Sequence, residues 1–149
     1  MIILRVATCW QERVSEQIVY LRELGSAMKK VLIVDDRPEV RSLLAVTLDM
    51  GEFELFEASN GQQALDVARL KLPDLMLLDV MMPGGLDGYQ VCEQLKADAK
   101  TKGIHVILLT ARGQEADKKR GAAVGADDYF IKPFSPRELL DKVYAALKI

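Results

Sequence analysis

The sequence is short of the residues that mark several function classes. It holds one histidine, His105, and two cysteines, Cys9 and Cys92, in 149 residues. That supply excludes a disulfide framework and the Cys/His spacings of a zinc site, and it fits a reducing compartment. His105 opens an apolar run without a partner set for a nucleophilic triad, so a structural role is expected. Charge of either sign is not in excess: 20 Lys and Arg against 22 Asp and Glu give a formal net charge of -2. No large basic surface argues for nucleic acid, and none is expected as a direct partner. No apolar run approaches the roughly 18 residues of a membrane span. The opening Met1-Ile2-Ile3-Leu4 lacks the basic start and long apolar stretch of a secretory signal. A soluble, cytoplasmic protein with no membrane partner is expected. No G-x-x-x-x-G-K-[ST] or G-x-G-x-x-G loop follows the first strand, which removes the usual phosphate cradles.

What is present is aliphatic. Half of the residues are hydrophobic and only 6% are aromatic, which suits a core of Val, Ile, Leu and Ala in one domain of ordinary size. From Lys30 the chain alternates short apolar runs with helical periodicity, five times over. Strands are expected at 30–34, 53–58, 74–79, 104–109 and 127–131, and helices at 37–49, 60–71, 87–98, 113–124 and 136–148. Runs such as Val106-Ile107-Leu108-Leu109 suit a parallel sheet covered on both faces. The alternation predicts an α/β, doubly wound sheet with right-handed crossovers.

Punctuation supports the helices. Ser59 with Gln62 reads as a capping box, and Ser135-Pro136-Arg137-Glu138 as another with proline at the first helical position. Leu140, Val143, Tyr144 and Leu147 form the core stripe of the last helix. The helix at 113–124 carries Gln114, Glu115, Asp117, Lys118, Lys119 and Arg120, and its apolar residues are mostly alanine. A helix that buries so little should be the loosest element. Its basic cluster reads first as a solvated face and second as a contact surface for a protein partner. Residues 1–28 stand apart as an N-terminal extension, with Trp10, Val14, Ile18 and Leu21 on one stripe of an amphipathic helix ended by Gly25. That extension is either a dimerising or docking helix or no native part of the domain, which is expected to span 29–149.

Charged residues close the apolar strands: Asp35 and Asp36 the first, Asp79 the third, Lys132 the fifth. In such a sheet ligands sit at the carboxyl ends of the strands, and Thr110 closes the fourth strand beside them. Two carboxylates about 4 Å apart repel by roughly 4 kcal/mol at an effective dielectric near 20. Three of them call for a cation, and a hard divalent ion held by oxygens fits best. Singly, each has a plainer explanation. Asp36 before Arg37-Pro38 reads as a helix cap, Asp79 as a turn residue, Thr110 as a β-branched strand terminus and Lys132 as a solvated charge. Asp87-Gly88 is expected to cap the helix that carries Tyr89, Val91 and Cys92.

Together these residues resemble the receiver domain of two-component response regulators. The resemblance rests on Val31-Leu32-Ile33-Val34-Asp35-Asp36, Leu77-Leu78-Asp79-Val80-Met81-Met82-Pro83, Leu108-Leu109-Thr110-Ala111 and Gly125-Ala126-Asp127-Asp128-Tyr129-Phe130-Ile131-Lys132-Pro133-Phe134, and covers about 30–149. It implies a five-stranded, flavodoxin-like sheet of order 2-1-3-4-5. It also implies that Asp79 accepts a phosphoryl group from a sensor histidine kinase or phosphotransfer protein. Mg²⁺ or Mn²⁺ would be held by Asp36, Asp79 and the Met81 carbonyl, with Asp35 assisting through water. Lys132 and Thr110 would contact the phosphoryl oxygens, Thr110 and Tyr129 would form the switch, and the Lys132-Pro133 bond would be cis. The implied protein is a signalling switch and not an enzyme, with a downstream protein target and a homodimer as a further implied assembly. Because the chain ends with its last helix, no DNA-binding output domain is expected. It then reads as a stand-alone receiver, like the chemotaxis and sporulation regulators, or as one cut from a longer regulator or hybrid kinase.

One departure concerns the loop: Gly84-Gly85-Leu86 stand before Asp87-Gly88 where the family commonly has one residue fewer. Met81 and Arg112 fall where the family tunes phosphoryl lifetime. The alternative is an aspartate-based phosphatase of the haloacid dehalogenase type, which would want Asp-x-Asp where Asp79-Val80-Met81 stands, and a cap domain. A flavin or nucleotide binder on the same fold is disfavoured by the acidic end of the first strand.

Overall fold

A run of branched aliphatic residues has no polar side to turn toward water, so each run becomes a strand buried on both faces. The computed structural model describes residues 28–49, 53–111 and 115–149. Its strands are β1 (Lys29–Val34), β2 (Phe53–Ala58), β3 (Leu75–Asp79), β4 (His105–Thr110) and β5 (Asp128–Ile131). They form one parallel sheet in the order β2-β1-β3-β4-β5. This is the predicted fold. The helices are α1 (Pro38–Leu48), α2 (Gly61–Lys71), α3 (Gly88–Ala97), α4 (Glu115–Ala123) and α5 (Pro136–Leu147).

Alternation along the strands splits the core in two. Leu32, Val34, Met76, Leu78, Val106 and Leu108 pack with Leu65 of α2 and Val91 and Leu95 of α3. Val31, Ile33, Leu75, Leu77, Ile107 and Leu109 pack on the other face with Leu44 and Leu48 of α1 and Leu139 and Val143 of α5. The register pairs Val34 with Leu78, Asp79 with Leu109 and Thr110 with Ile131, so the polar strand ends emerge along one edge.

Two local readings shift by a residue. The cap of α2 is Asn60, whose side chain accepts from Gln63 N, not Ser59 with Gln62. Ser59 is turned instead to Gln63 Oε1, which accepts from both its backbone N–H and its hydroxyl. In α5 the fully buried pair is Leu139 and Val143, while Leu140, Tyr144 and Leu147 are half-buried. The Ser135–Glu138 capping box is as expected. Within 118–123 of α4 only Gly121 is buried. The helix expected near residues 10–24 lies outside the described residues. Among the described residues no helix is long and apolar enough to cross a membrane.

Candidate functional site

β1 delivers Asp35 into the protein and Asp36 to its edge. Asp35 N donates to Ala58 O at 3.2 Å, which prolongs the pairing of β1 with β2 by one residue. Its carboxylate is fully buried; Oδ1 accepts Arg37 N at 2.9 Å and Oδ2 faces Lys132 Nζ at 3.1 Å. Arg41, on the first turn of α1, donates from Nη1 to Asp35 O at 2.7 Å and pairs with Glu57 at 3.4 Å, fixing the same corner. Asp36 is not the cap of α1: that position is Arg37, with no side-chain cap bond.

β3 delivers Asp79, which is 6% exposed. Val80 N donates to Leu109 O at 3.0 Å, and Asp79 Oδ1 accepts Met81 N at 3.3 Å, holding the carboxylate over the strand end. Behind it, α3 begins at Gly88, where a Cβ would stand 2.5 Å from Asp79 O and 2.8 Å from Val80 Cα. No other residue fits there without moving the backbone of Asp79. Asp87 caps α3 in a reciprocal box with Gln90, as expected. The loop before Asp87 stands out in solvent: a Cβ at Gly84 (φ +80) or Gly85 (φ +134) would meet nothing within 4 Å, and both are in conformations that side chains rarely adopt.

β4 and β5 complete the edge. Thr110 is 5% exposed and its carbonyl accepts Lys132 N at 2.7 Å. The Lys132-Pro133 bond is cis, as the resemblance implies. Lys132 Nζ stands 3.1 Å from Asp35 Oδ2 and 3.5 Å from Asp79 Oδ1. Asp35, Asp36 and Asp79 each offer an oxygen within 4.8 Å of the others. Tyr129 is not in this cluster; it is half-buried against the α2/α3 side of the core, with Lys118 Nζ 5.4 Å from its ring centre.

Electrostatics set the character of the edge. Burial pushes the Asp79 carboxyl above its ordinary value near 3.8; Lys132 pulls it down, but the neighbouring Asp35 pushes it up again. Three carboxylates and one ammonium leave a formal balance of -3 + 1 = -2. A hard, oxygen-seeking divalent cation fits that donor set and that charge. Among the described residues the histidine and cysteine side chains do not join it.

Sequence reasoning missed two supporting residues. Arg41 carried no pattern of its own, whereas Gly88 directly after a capping Asp was a readable sign of close approach.

A family model describing the response regulator receiver domain matches residues 31–144. The chain belongs to this family. It is 48% identical over 120 residues to the phosphate regulon transcriptional regulatory protein PhoB of Pseudomonas aeruginosa, a match covering 80% of this chain and 52% of that protein. PhoB of Escherichia coli K12 matches at 40% identity with the same coverage. The chain therefore spans about half the length of these relatives. The structure of the chemotaxis protein CheY4 of Vibrio cholerae superposes with a TM-score of 0.76 at 31% identity, covering 80% of this chain and 98% of that one.

As a receiver domain the chain is a signalling module of two-component systems, a family of phosphorylation-dependent switches with phosphoaspartate and Mg²⁺ at an acidic cluster. One expectation is corrected. Neither the near-zero net charge nor the position of α5 at the end of the sequence excludes nucleic acid as a partner. The relatives are transcriptional regulators about twice as long. Charge within a receiver carries no information about what an output unit outside the matched segment touches.

Proposed function

We propose that Asp79 is the phosphoacceptor of this receiver. An oxygen of its carboxylate attacks the phosphorus of a phosphohistidine. The nitrogen–phosphorus bond breaks, its electron pair returns to the imidazole, and an acyl phosphate forms on Asp79. The observation that carries this reading is the placement of the Asp79 carboxylate, 6% exposed at a strand end, 3.5 Å from the Lys132 ammonium and in one cluster with Asp35 and Asp36. Phosphoryl transfer asks a protein for positioning and charge neutralisation more than for covalent help. Asp36, Asp79 and the Met81 carbonyl would hold Mg²⁺ or Mn²⁺, with Asp35 assisting. The ion, when bound, neutralises the phosphoryl oxygens. Lys132 supplies a charged donor to one phosphoryl oxygen, and the Thr110 hydroxyl a donor to another. Tyr129, packed beneath α4, is the second half of the switch.

The donor in this reading is a sensor histidine kinase or phosphotransfer protein in the cytoplasm. The names of the relatives support an output on transcription. The chain acts as a switch and turns over nothing but its own phosphoryl group. Residues 29–149 suffice for this, so a chain without residues 1–27 should still be phosphorylated. The test is mass spectrometry after acetyl phosphate and Mg²⁺: one added phosphoryl group on the natural chain and none on Asp79→Asn. Uptake by Asp79→Asn at the natural level would refute the assignment.

A further inference from the structure

α4 has little apolar surface with which to hold its place. Gly121 is its one buried residue within 118–123, and a cavity of about 260 Å³ lies against Val80, Met82, Pro83 and Tyr89 with Arg120 as part of its wall. One long side chain spans that gap. The Arg120 guanidinium stands 4.3 Å from the centre of the Tyr89 ring, and its Nη2 lies 3.6 Å from Asp87 Oδ2. Asp87 divides its two oxygens. Oδ1 accepts Gln90 N at 2.8 Å and caps α3, while Oδ2 faces Arg120. Asp87 is followed by Gly88, the residue wedged against the Asp79 backbone. A chain of contacts therefore runs from the Asp79 peptide through Gly88 and Asp87 to α4.

We infer that Arg120 is a positioning residue, a tether that ties the placement of α4 to the Val80–Asp87 loop beside the phosphoacceptor. This rests on the reading of Asp79 given above. Within α4 the neighbouring Lys119 is likewise charged and exposed but has no contact of this kind among the described residues. That makes it the internal control. Lys118, over the Tyr129 ring, holds the other side of the helix to β5.

The experiment compares the full chain with Arg120→Gln, Asp87→Asn and the double variant, and with Lys119→Gln. Asn keeps the cap of α3, since Asn and Asp cap almost equally well, and removes only the charge that faces Arg120. Amide hydrogen exchange of residues 115–123 is measured without a phosphoryl mimic, and amide chemical shifts with and without beryllofluoride. Arg120→Gln should speed exchange in α4 about three- to tenfold, the scale of one exposed cation–π contact with one surface ion pair. Asp87→Asn should have a smaller effect. The double variant should match Arg120→Gln, and Lys119→Gln should match the natural chain. With beryllofluoride, Arg120→Gln should keep the shifts at Asp79–Met81 and lose most of those in α4. Exchange in Arg120→Gln no faster than in Lys119→Gln, additive effects in the double variant, or an undiminished α4 response would each overturn the tether. A natural chain whose Asp79–Met81 amides ignore beryllofluoride would instead sink the phosphoacceptor reading, and the coupling with it, while the exchange comparison would still report on the contact itself.

Discussion

Each end of the sheet has a lysine paired with a carboxylate, and the two ends use it differently. At the amino ends of β4 and β5, Lys96 Nζ donates to Lys102 O at 3.1 Å, Ile104 O at 2.6 Å and Asp127 Oδ2 at 2.7 Å. Its three donors meet three acceptors, and Asp127 Oδ2 also accepts Val106 N at 2.8 Å. Burial alone would raise the Asp127 carboxyl, but the bonds from Lys96 and Val106 more than offset it and hold it below 3.8. At the carboxyl ends, Lys132 faces two carboxylates at 3.1 and 3.5 Å with a third beside them, and the Asp79 carboxyl is raised. A lysine paired with a carboxylate is thus no sign of a site by itself. The balance is: a matched end is a strut, and an end left with excess negative charge is poised for a cation and a phosphoryl group.

Exchanging the two carboxylates for amides separates these roles most sharply. Asp79→Asn should abolish phosphorylation and raise the melting temperature, because it removes a buried charge from a repelling cluster. Asp127→Asn should leave phosphorylation intact and lower the melting temperature. Equal destabilisation by both would break the distinction. Next in size is Lys96→Met, which takes a shared charged donor from two carbonyls and a carboxylate. About 1.5–3 kcal/mol of stability should be lost in a urea titration, the scale of hydrogen bonds to a charged group. Loss of phosphorylation in a still-folded Lys96→Met would mean that the two ends are not independent. Magnesium ion should raise the stability of the natural chain by about 1.4 kcal/mol at ten times its Kd. Asp36→Ala should lose that gain and Asp127→Asn should keep it; a full gain in Asp36→Ala would remove Asp36 from the metal site.

The functional end was legible in the sequence because its parts are contiguous with strong signals. Asp35, Asp36, Asp79, Thr110 and Lys132 each terminate an unbroken apolar run, and parallel strands must align such ends. The strut was not legible. Lys96 lies on α3 and Asp127 precedes β5, 31 residues away, and nothing local distinguishes that pair from solvated charges. The α2 cap failed for a related reason. Ser59 and Asn60 are both good caps, followed by two glutamines, so a shift of one residue costs nothing in pattern. Leu139 does not stand out in the sequence, because a stripe on Leu140, Val143, Tyr144 and Leu147 has the same period. Only packing against β1 and β3 decides which row faces inward.

The smallest effect is the most diagnostic, because the two ends should respond to acid with opposite sign. The Asp79 carboxyl is raised in the folded state, so its contribution favours folding below its unfolded pKa near 3.8 and is lost as pH rises through the higher folded value. Asp127 is depressed, so its contribution is present above 3.8 and is lost as pH falls through the lower folded value. Other carboxylates titrate in the same range, and differences between variants cancel them. The stability gained by Asp79→Asn should therefore be full at neutral pH and vanish below pH 3.8. The stability lost in Asp127→Asn should also be full at neutral pH, but should persist at 3.8 and fade only below it. Urea titrations of the three proteins from neutral pH down to about pH 3, the range over which carboxylates protonate, give both curves. A gain in Asp79→Asn that is independent of pH would mean that the benefit comes from a new amide hydrogen bond. The carboxyl end would then hold no repulsion for a cation to relieve.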